Sequence, residues 1–71
     1  MRISIDAKDI NNKAIYVGDR VWVGDFNPPF YGIVTISGGE ILAIGDEESI
    51  EMSQYHINNF KIKVAYEIIS L

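Results

Sequence analysis

Five aromatic side chains are the residues of this sequence best suited to binding chemistry. They are Trp22, Phe26, Phe30, Tyr31 and Tyr55. Aromatic side chains around a groove bind proline-rich peptides or enclose a methylated cation. The same rings could instead cover one end of a small core, with the tryptophan as a lid and the phenylalanines closing a loop. The sequence therefore predicts a protein- or peptide-binding patch here, with the lid as its alternative.

Catalytic chemistry finds little support in the residue types. His56 is the single histidine, and no Gly-x-Ser-x-Gly element accompanies it. Asp19 could pair with that histidine, but an Asp in a Gly-Asp turn more often accepts hydrogen bonds from backbone amides. We therefore expect no catalytic residues and no enzymatic activity.

Metal and cofactor sites are not expected either. The chain has no cysteine, which excludes disulfides and thiolate sites. The acidic residues Asp46, Glu47, Glu48 and Glu51 lack the alternate spacing of a calcium loop. They predict a solvated turn whose charge discourages strand pairing, or a surface that faces a basic partner.

The charge balance weighs against nucleic acid as the main partner. The net charge is −4 and the isoelectric point is about 4.6, with six scattered basic residues. Proteins that hold phosphate backbones usually carry a basic face. A small strip of Arg20, Lys61 and Lys63 beside Trp22 or Tyr31 leaves stacking of a single strand as an alternative.

The length of the chain predicts a single domain spanning residues 1–71. A hydrophobic content of 48% makes a packed core feasible. The longest apolar run, residues 41–44, is far shorter than the ~20 residues that span a bilayer. No signal-peptide pattern opens the sequence, so we expect a cytoplasmic protein without membrane contact.

Short alternating segments separated by glycine-marked turns predict the elements that must position these residues. Strands are predicted at 20–24, 30–36, 41–44, 49–52 and 61–68, with a further edge strand at 1–5. Residues 6–14 are expected to be polar turn. Gly32 predicts a close backbone approach, and Gly38-Gly39 predicts a hairpin. Ser53 is expected to cap a single 3₁₀ turn that ends at Asn58-Asn59.

These elements predict an all-β fold, a small SH3-like barrel of about five antiparallel strands with the 3₁₀ turn before the last strand. The alternative is a two-layer fold with a three-stranded sheet and a hairpin. The predicted core comprises Val21, Val23, Val34, Ile36, Ile50, Ile62, Val64 and Tyr66. Because Val21 and Val23 point inward in this scheme, Trp22 points outward.

One segment carries a family resemblance. Residues 9–21 read Asp9-Ile10-Asn11-Asn12-Lys13-Ala14-Ile15-Tyr16-Val17-Gly18-Asp19-Arg20-Val21. This resembles the opening of phage-borne YopX-like proteins, Asp-x-Asn-Gly-Lys-x-Ile-Tyr-x-Gly-Asp-x-Val, and the similarity extends over residues 6–44. Asn12 stands where that family usually has glycine, and asparagine also fills left-handed turn positions. The resemblance implies an accessory protein of a phage or mobile element without a known catalytic activity.

A looser similarity links the Gly-Asp turn, the strand after it and the strand around Gly32 to SH3-like modules of the KOW and Tudor kind. Together these patterns predict a non-enzymatic binding module of phage origin that engages a protein or peptide through its aromatic patch. A KOW-like nucleic-acid accessory factor and a self-associating structural phage protein are the alternatives.

Overall fold

The computed structural model describes residues 2–66, and of Tyr66 the backbone alone. Their elements are β1 (Ser4–Lys8), β2 (Ala14–Tyr16), β3 (Arg20–Val23), β4 (Phe30–Ser37), β5 (Glu40–Ile44), β6 (Ser49–Glu51), α1 (Gln54–Asn59) and β7 (Ile62–Tyr66). The predicted all-β class is confirmed in that these residues form seven strands and one short helix. The predicted continuation of the last strand to residue 68, and the core position assigned to the Tyr66 side chain, lie outside the described part.

Two antiparallel sheets make up the β structure. Strands β3 to β7 form a five-stranded sheet in the order β6-β5-β4-β3-β7, and β1 pairs with β2 in a separate hairpin. The chain thus runs through a four-strand meander, turns through α1 and returns to pair β7 with β3. All five strands expected for the main sheet are present.

The sheet is open, whereas the sequence predicted a closed barrel. Strands β6 and β7 are its two edges, and they do not pair with each other within residues 2–66. The β1–β2 hairpin and α1 cover one side of the sheet instead, since Ile5, Ile15 and Ile57 lie in the same buried cluster as the strand residues. Apolar side chains are thereby buried without closing the sheet. The two-layer alternative was right about the hairpin and wrong about a three-stranded sheet.

Five of the predicted core residues are buried. They are Val21, Val23, Val34, Ile50 and Ile62, and Val64 packs against them as a partly buried neighbour. Ile36 is a wrong prediction, because its side chain is 50% exposed. It follows the inward alternation of β4, but at that end of the strand the covering layer of the described chain does not reach it.

The first strand lies further along the chain than the sequence predicted, at residues 4–8 and not 1–5. Residues 6–14 were expected to be polar turn, yet β1 extends to Lys8 and buries Ala7. Asp6 has a positive φ of 60°, and the register of the β1–β2 pair shifts between Ser4 and Lys8. Exposed and buried residues nevertheless alternate along β1, with Ile5 and Ala7 buried, so the strand pattern was present in a segment interpreted as turn.

The segment before the last strand is an α-helix and not the predicted 3₁₀ turn. Ser53 caps it as expected, because its Oγ accepts a hydrogen bond from the His56 N–H at 3.2 Å. The Ile57 N–H donates to the Ser53 carbonyl four residues earlier, which is α-helical spacing. Ile57 is fully buried, and this anchor favours a complete turn in a six-residue helix.

Two glycine predictions are confirmed. A Cβ on Gly32 would lie 3.2 Å from both the carbonyl carbon and the Cβ of Ala43 on β5, so this is the expected close approach. Gly38 and Gly39 have φ values of 59° and 82° in the hairpin between β4 and β5, as a primed turn requires. No helix in the described part of the chain is long and apolar enough to cross a bilayer.

Candidate functional site

The candidate site lies on the side of the five-stranded sheet that faces away from the β1–β2 hairpin and α1, and we call this side the outer face. The alternation of β3, β4, β5 and β7 places on it Arg20, Trp22, Tyr31, Ile33, Leu42, Ile44 and Lys63. Trp22 therefore points away from the core, as predicted from the inward direction of Val21 and Val23. This face is the side of the sheet that lacks the covering hairpin and helix.

The centre of the outer face is a pair of aromatic rings. Trp22 and Tyr31 are direct cross-strand partners on β3 and β4, with ring centroids 4.6 Å apart and planes tilted by 51°. The Arg20 guanidinium carbon lies 4.3 Å from the centre of the Tyr31 ring, a cation–π arrangement. Tyr31 is held between two neighbours and still exposes 48% of its surface. Its ring is therefore both fixed in position and accessible.

A groove of about 590 Å³ opens beside this pair. Tyr31, Ile33 and Ile44 form its apolar part, and the two isoleucines are direct cross-strand partners that expose 44% and 39% of their surfaces. One wall is the diproline loop around Pro28 and Pro29. Apolar side chains exposed side by side are the usual mark of a contact surface.

The opposite wall of the groove is the acidic turn, residues 45–48, between β5 and β6. The Gly45 N–H donates to the Glu48 carbonyl at 2.8 Å and closes the turn. Asp46 and Glu47 are exposed, as predicted for a solvated turn. Among the described residues no group of three His, Asp or Glu side chains is arranged to hold a metal ion. The turn gives one side of the groove a concentrated negative charge.

Phe26 and Phe30 do not join the outer aromatic pair. Their rings contact each other edge to face at 5.3 Å, Phe26 also contacts Phe60 at 5.7 Å, and all three pack against the buried core. A Cβ on Gly45 would lie 2.6 Å from the Phe30 ring, so the acidic turn is seated on that ring. The two phenylalanines pack at the end of the core, as the lid alternative expects, and Phe30 also lines the groove beside Tyr31.

Tyr55 lies on α1 and exposes 73% of its surface. Its described ring contact is with His56, at 5.4 Å and perpendicular. Helix α1 packs against β7 and β1 on the covered side of the sheet. The five predicted site residues are therefore divided among three places, and only Trp22 and Tyr31 share the outer face.

The surroundings of His56 do not form a catalytic relay. Its Nδ1 lies 2.6 Å from the Ser53 Oγ and 3.6 Å from a Glu51 carboxylate oxygen. A relay needs the nucleophile and the carboxylate on opposite ring nitrogens, and here both oxygens share one. The Ser53 Oγ also caps the helix. The histidine ring stacks on Phe60 with an interplanar angle of 9°.

The two buried carboxylates of the described part of the chain, Asp9 and Asp19, accept hydrogen bonds from the backbone. Asp19 is 1% exposed and accepts a hydrogen bond from the Tyr16 N–H at 3.0 Å, which confirms its predicted role in the turn. Its other oxygen lies 3.3 Å from the Arg2 guanidinium. Asn12, where the YopX-like pattern usually has glycine, has a φ of 65° and so occupies the left-handed position expected for it.

Asp9 is a structural residue that the sequence interpretation missed. It is 5% exposed, and its carboxylate accepts hydrogen bonds from the N–H groups of Asn11, Lys13 and Val64 at 2.8, 2.8 and 2.9 Å. The first two bonds close the turn between β1 and β2, and the third ties that turn to β7. An Asp just before an Asn-Asn turn was the available signal.

The groove-lining isoleucines were also missed as surface residues. The sequence did show residues 41–44 to be apolar on both faces of a strand.

Compared with protein-family models, curated proteins and solved structures, the chain matches none of them. The geometry of the outer face is therefore the evidence for its function.

Proposed function

We propose that the protein is a non-enzymatic binding module that engages a protein partner through the outer face, with Tyr31 and Trp22 at the centre of the contact. The observation that carries this proposal is the Tyr31 ring, which is fixed by Trp22 and Arg20 but 48% exposed. A side chain already held in one position loses little conformational entropy when a partner covers it.

The composition of the outer face supports the same function. Trp, Tyr and Arg are the residue types that contribute most to protein interfaces, and here Tyr31 contacts both Trp22 and Arg20. Ile33 and Ile44 continue the contact surface beside them. The groove has an apolar floor and a charged wall, an arrangement that favours a partner with both apolar and basic groups.

The fold supports an SH3-like affiliation within this proposal. A four-strand meander, a short helix and a last strand that returns to the first meander strand is the strand order expected of SH3-like modules. The YopX-like opening supports an origin in a phage or mobile element. Its two aspartates, Asp9 and Asp19, hold turns together, so its described role in this chain is structural.

A nucleic-acid accessory factor is the second candidate, favoured by one observation. Lys63 is the register partner of Trp22, so a basic side chain flanks the aromatic pair on the side away from the acidic turn. Single-stranded nucleic acid stacks on such rings. The acidic wall of the groove weakens this candidate. Binding to a single-stranded probe that falls steeply with added salt would favour it over the protein partner.

The test compares two tyrosines that differ in place. Immobilised wild-type protein, Tyr31→Ser and Tyr55→Ser are incubated with a lysate of the source cells, and retained proteins are quantified by mass spectrometry. A partner retained by the wild type and Tyr55→Ser but reduced at least about tenfold by Tyr31→Ser supports the outer face. Retention that depends on Tyr55 and not on Tyr31 would contradict it.

A further inference from the structure

The outer face has a charge asymmetry that specifies a partner, and we infer that this partner is a second copy of the chain. The inference deepens the proposed function, since it uses the same face. Two outer faces would pack against each other across a two-fold axis that runs parallel to the strands, close to β4. Sheets that pack face to face in this way lie about 10 Å apart.

The charges lie at opposite sides of the aromatic centre. Lys63, Trp22 and Tyr31 are successive register partners on β7, β3 and β4, so they form one row across the sheet. On the other side of Tyr31, β5 ends at Ile44 and the acidic turn follows. The row thus begins with an exposed lysine and ends with Asp46, Glu47 and Glu48. Within residues 2–65, Lys63 and these three acids form no salt bridge with one another.

A two-fold axis along the strands makes this row complementary to itself. β4 is the central strand of the order β6-β5-β4-β3-β7. Rotation about an axis parallel to it places β7 of one copy opposite the acidic turn of the other, so Lys63 faces the three acids twice in one dimer. Tyr31 lies near the axis and meets its symmetry mate. An in-plane axis across the strands would place Lys63 against Lys63, which is unfavourable.

The available area indicates a weak and reversible dimer. Five strands at about 4.8 Å spacing and the eight residues of β4 give a face of at most roughly 19 by 27 Å, about 500 Å² before side-chain relief. Ordinary stable interfaces bury about 800 Å² per partner. We therefore expect a dissociation constant in the range of about 10 to 100 µM, with the dimer weakened by salt.

Charge reversal tests the proposed pairing. Sedimentation velocity from about 10 µM to about 1 mM should show a monomer–dimer equilibrium for the wild type. Lys63→Glu should weaken it about tenfold and Glu47→Lys about fivefold, since each change acts twice in a symmetric dimer. Lys8→Glu and Asp25→Lys, charge reversals at exposed positions off the outer face, should leave it unchanged. Far-ultraviolet circular dichroism checks that every variant folds.

Mixing the two weakened variants gives the sharpest result. A heterodimer of Lys63→Glu with Glu47→Lys contains one native pair and one exchanged pair, so both contacts are attractive. In native mass spectrometry, with one variant labelled with ¹⁵N, the heterodimer should exceed by severalfold the share of about one half expected from random pairing.

Three outcomes would overturn the inference: a wild type that stays monomeric, a dimer indifferent to both reversals, or a mixture without excess heterodimer. The monomeric outcome leaves the proposed function standing, because the outer face is then free for a foreign protein in the Tyr31→Ser comparison. If Tyr31→Ser and Tyr55→Ser retained the same proteins from the lysate while the dimer still depended on charge, the foreign partner would be excluded. The second copy would then remain as the partner of the outer face.

Discussion

The two sides of the five-stranded sheet carry similar residue types that have different roles. On the covered side, Phe26, Phe30 and Phe60 pack edge to face against the core, and two carboxylates are buried against backbone amides. On the outer face, Trp22 and Tyr31 pack against each other and leave surface uncovered. Whether an aromatic ring or an acid is structural or free to contact a partner therefore depends on whether the second layer, the β1–β2 hairpin and α1, covers it. Substitutions on the two sides should separate stability from association.

The largest loss of stability is expected at Asp9. Replacing it with Ala leaves three N–H groups without their acceptor and releases the hairpin turn from β7. With about 1.5 kcal/mol for each of the three bonds to the charged group, Asp9→Ala should lower the free energy of unfolding by about 4.5 kcal/mol. Urea unfolding followed by Trp22 fluorescence measures it. Asp46→Ala, which removes an exposed acid, should change it by less than about 0.5 kcal/mol.

Asp9→Asn refines this prediction. The amide oxygen can still accept the bonds from Asn11 and Lys13, whereas the amide nitrogen would face the Val64 N–H, donor against donor. The variant should therefore fall between the wild type and Asp9→Ala. If Asp9→Ala were as stable as Asp46→Ala, the buried carboxylate would not be the device that joins hairpin and sheet.

A smaller loss is expected when the end of the core is opened. Phe26→Ala removes a ring that contacts Phe30 and Phe60 and packs against the buried cluster. Replacing a fully buried phenylalanine with alanine typically lowers the free energy of unfolding by about 3–5 kcal/mol. Because Phe26 is partly exposed, we expect a loss of about 2 kcal/mol. Association through the outer face should be unchanged per folded molecule. A specific loss of association without a loss of stability would place Phe26 in the binding surface after all.

The sequence predicted those features that depend on local pattern. The alternation around Val21 and Val23 predicted the direction of Trp22, and the paired glycines predicted the hairpin. The bond from Val64 to Asp9 joins residues 55 positions apart and leaves no local signal. Exposure of Ile36 and of the groove-lining isoleucines depends on where the second layer ends. That layer was missed because the segment after Ile5 was interpreted as polar turn, although the alternation of β1 continues to Ala7 and Lys8.

The lack of a local signal for contacts between strands also explains why the predicted aromatic patch is divided in the structure. Spacing along the chain brought Phe26, Phe30 and Tyr31 together in the interpretation, because they flank one loop. Neighbouring residues on a strand point to opposite faces, so Phe30 turns to the core and Tyr31 to the outer face. Pairing across strands, which selects Trp22 as the neighbour of Tyr31, requires the register of β3 on β4.

Tyr31→Ser should lower stability less than Asp9→Ala or Phe26→Ala, although it should matter most for association. Removing the ring forfeits its contacts with Trp22 and Arg20 but also removes an aromatic surface that is 48% exposed, so the free energy of unfolding should fall by less than about 1 kcal/mol. Trp22 loses the ring beside it, and acrylamide should quench its fluorescence more strongly in this variant than in the wild-type monomer. Tyr55→Ser removes a still more exposed ring on α1 and should leave the quenching unchanged. A destabilisation as large as that of Phe26→Ala would mean that Tyr31 holds the sheet together, and the distinction between the two sides would then fail at its central residue.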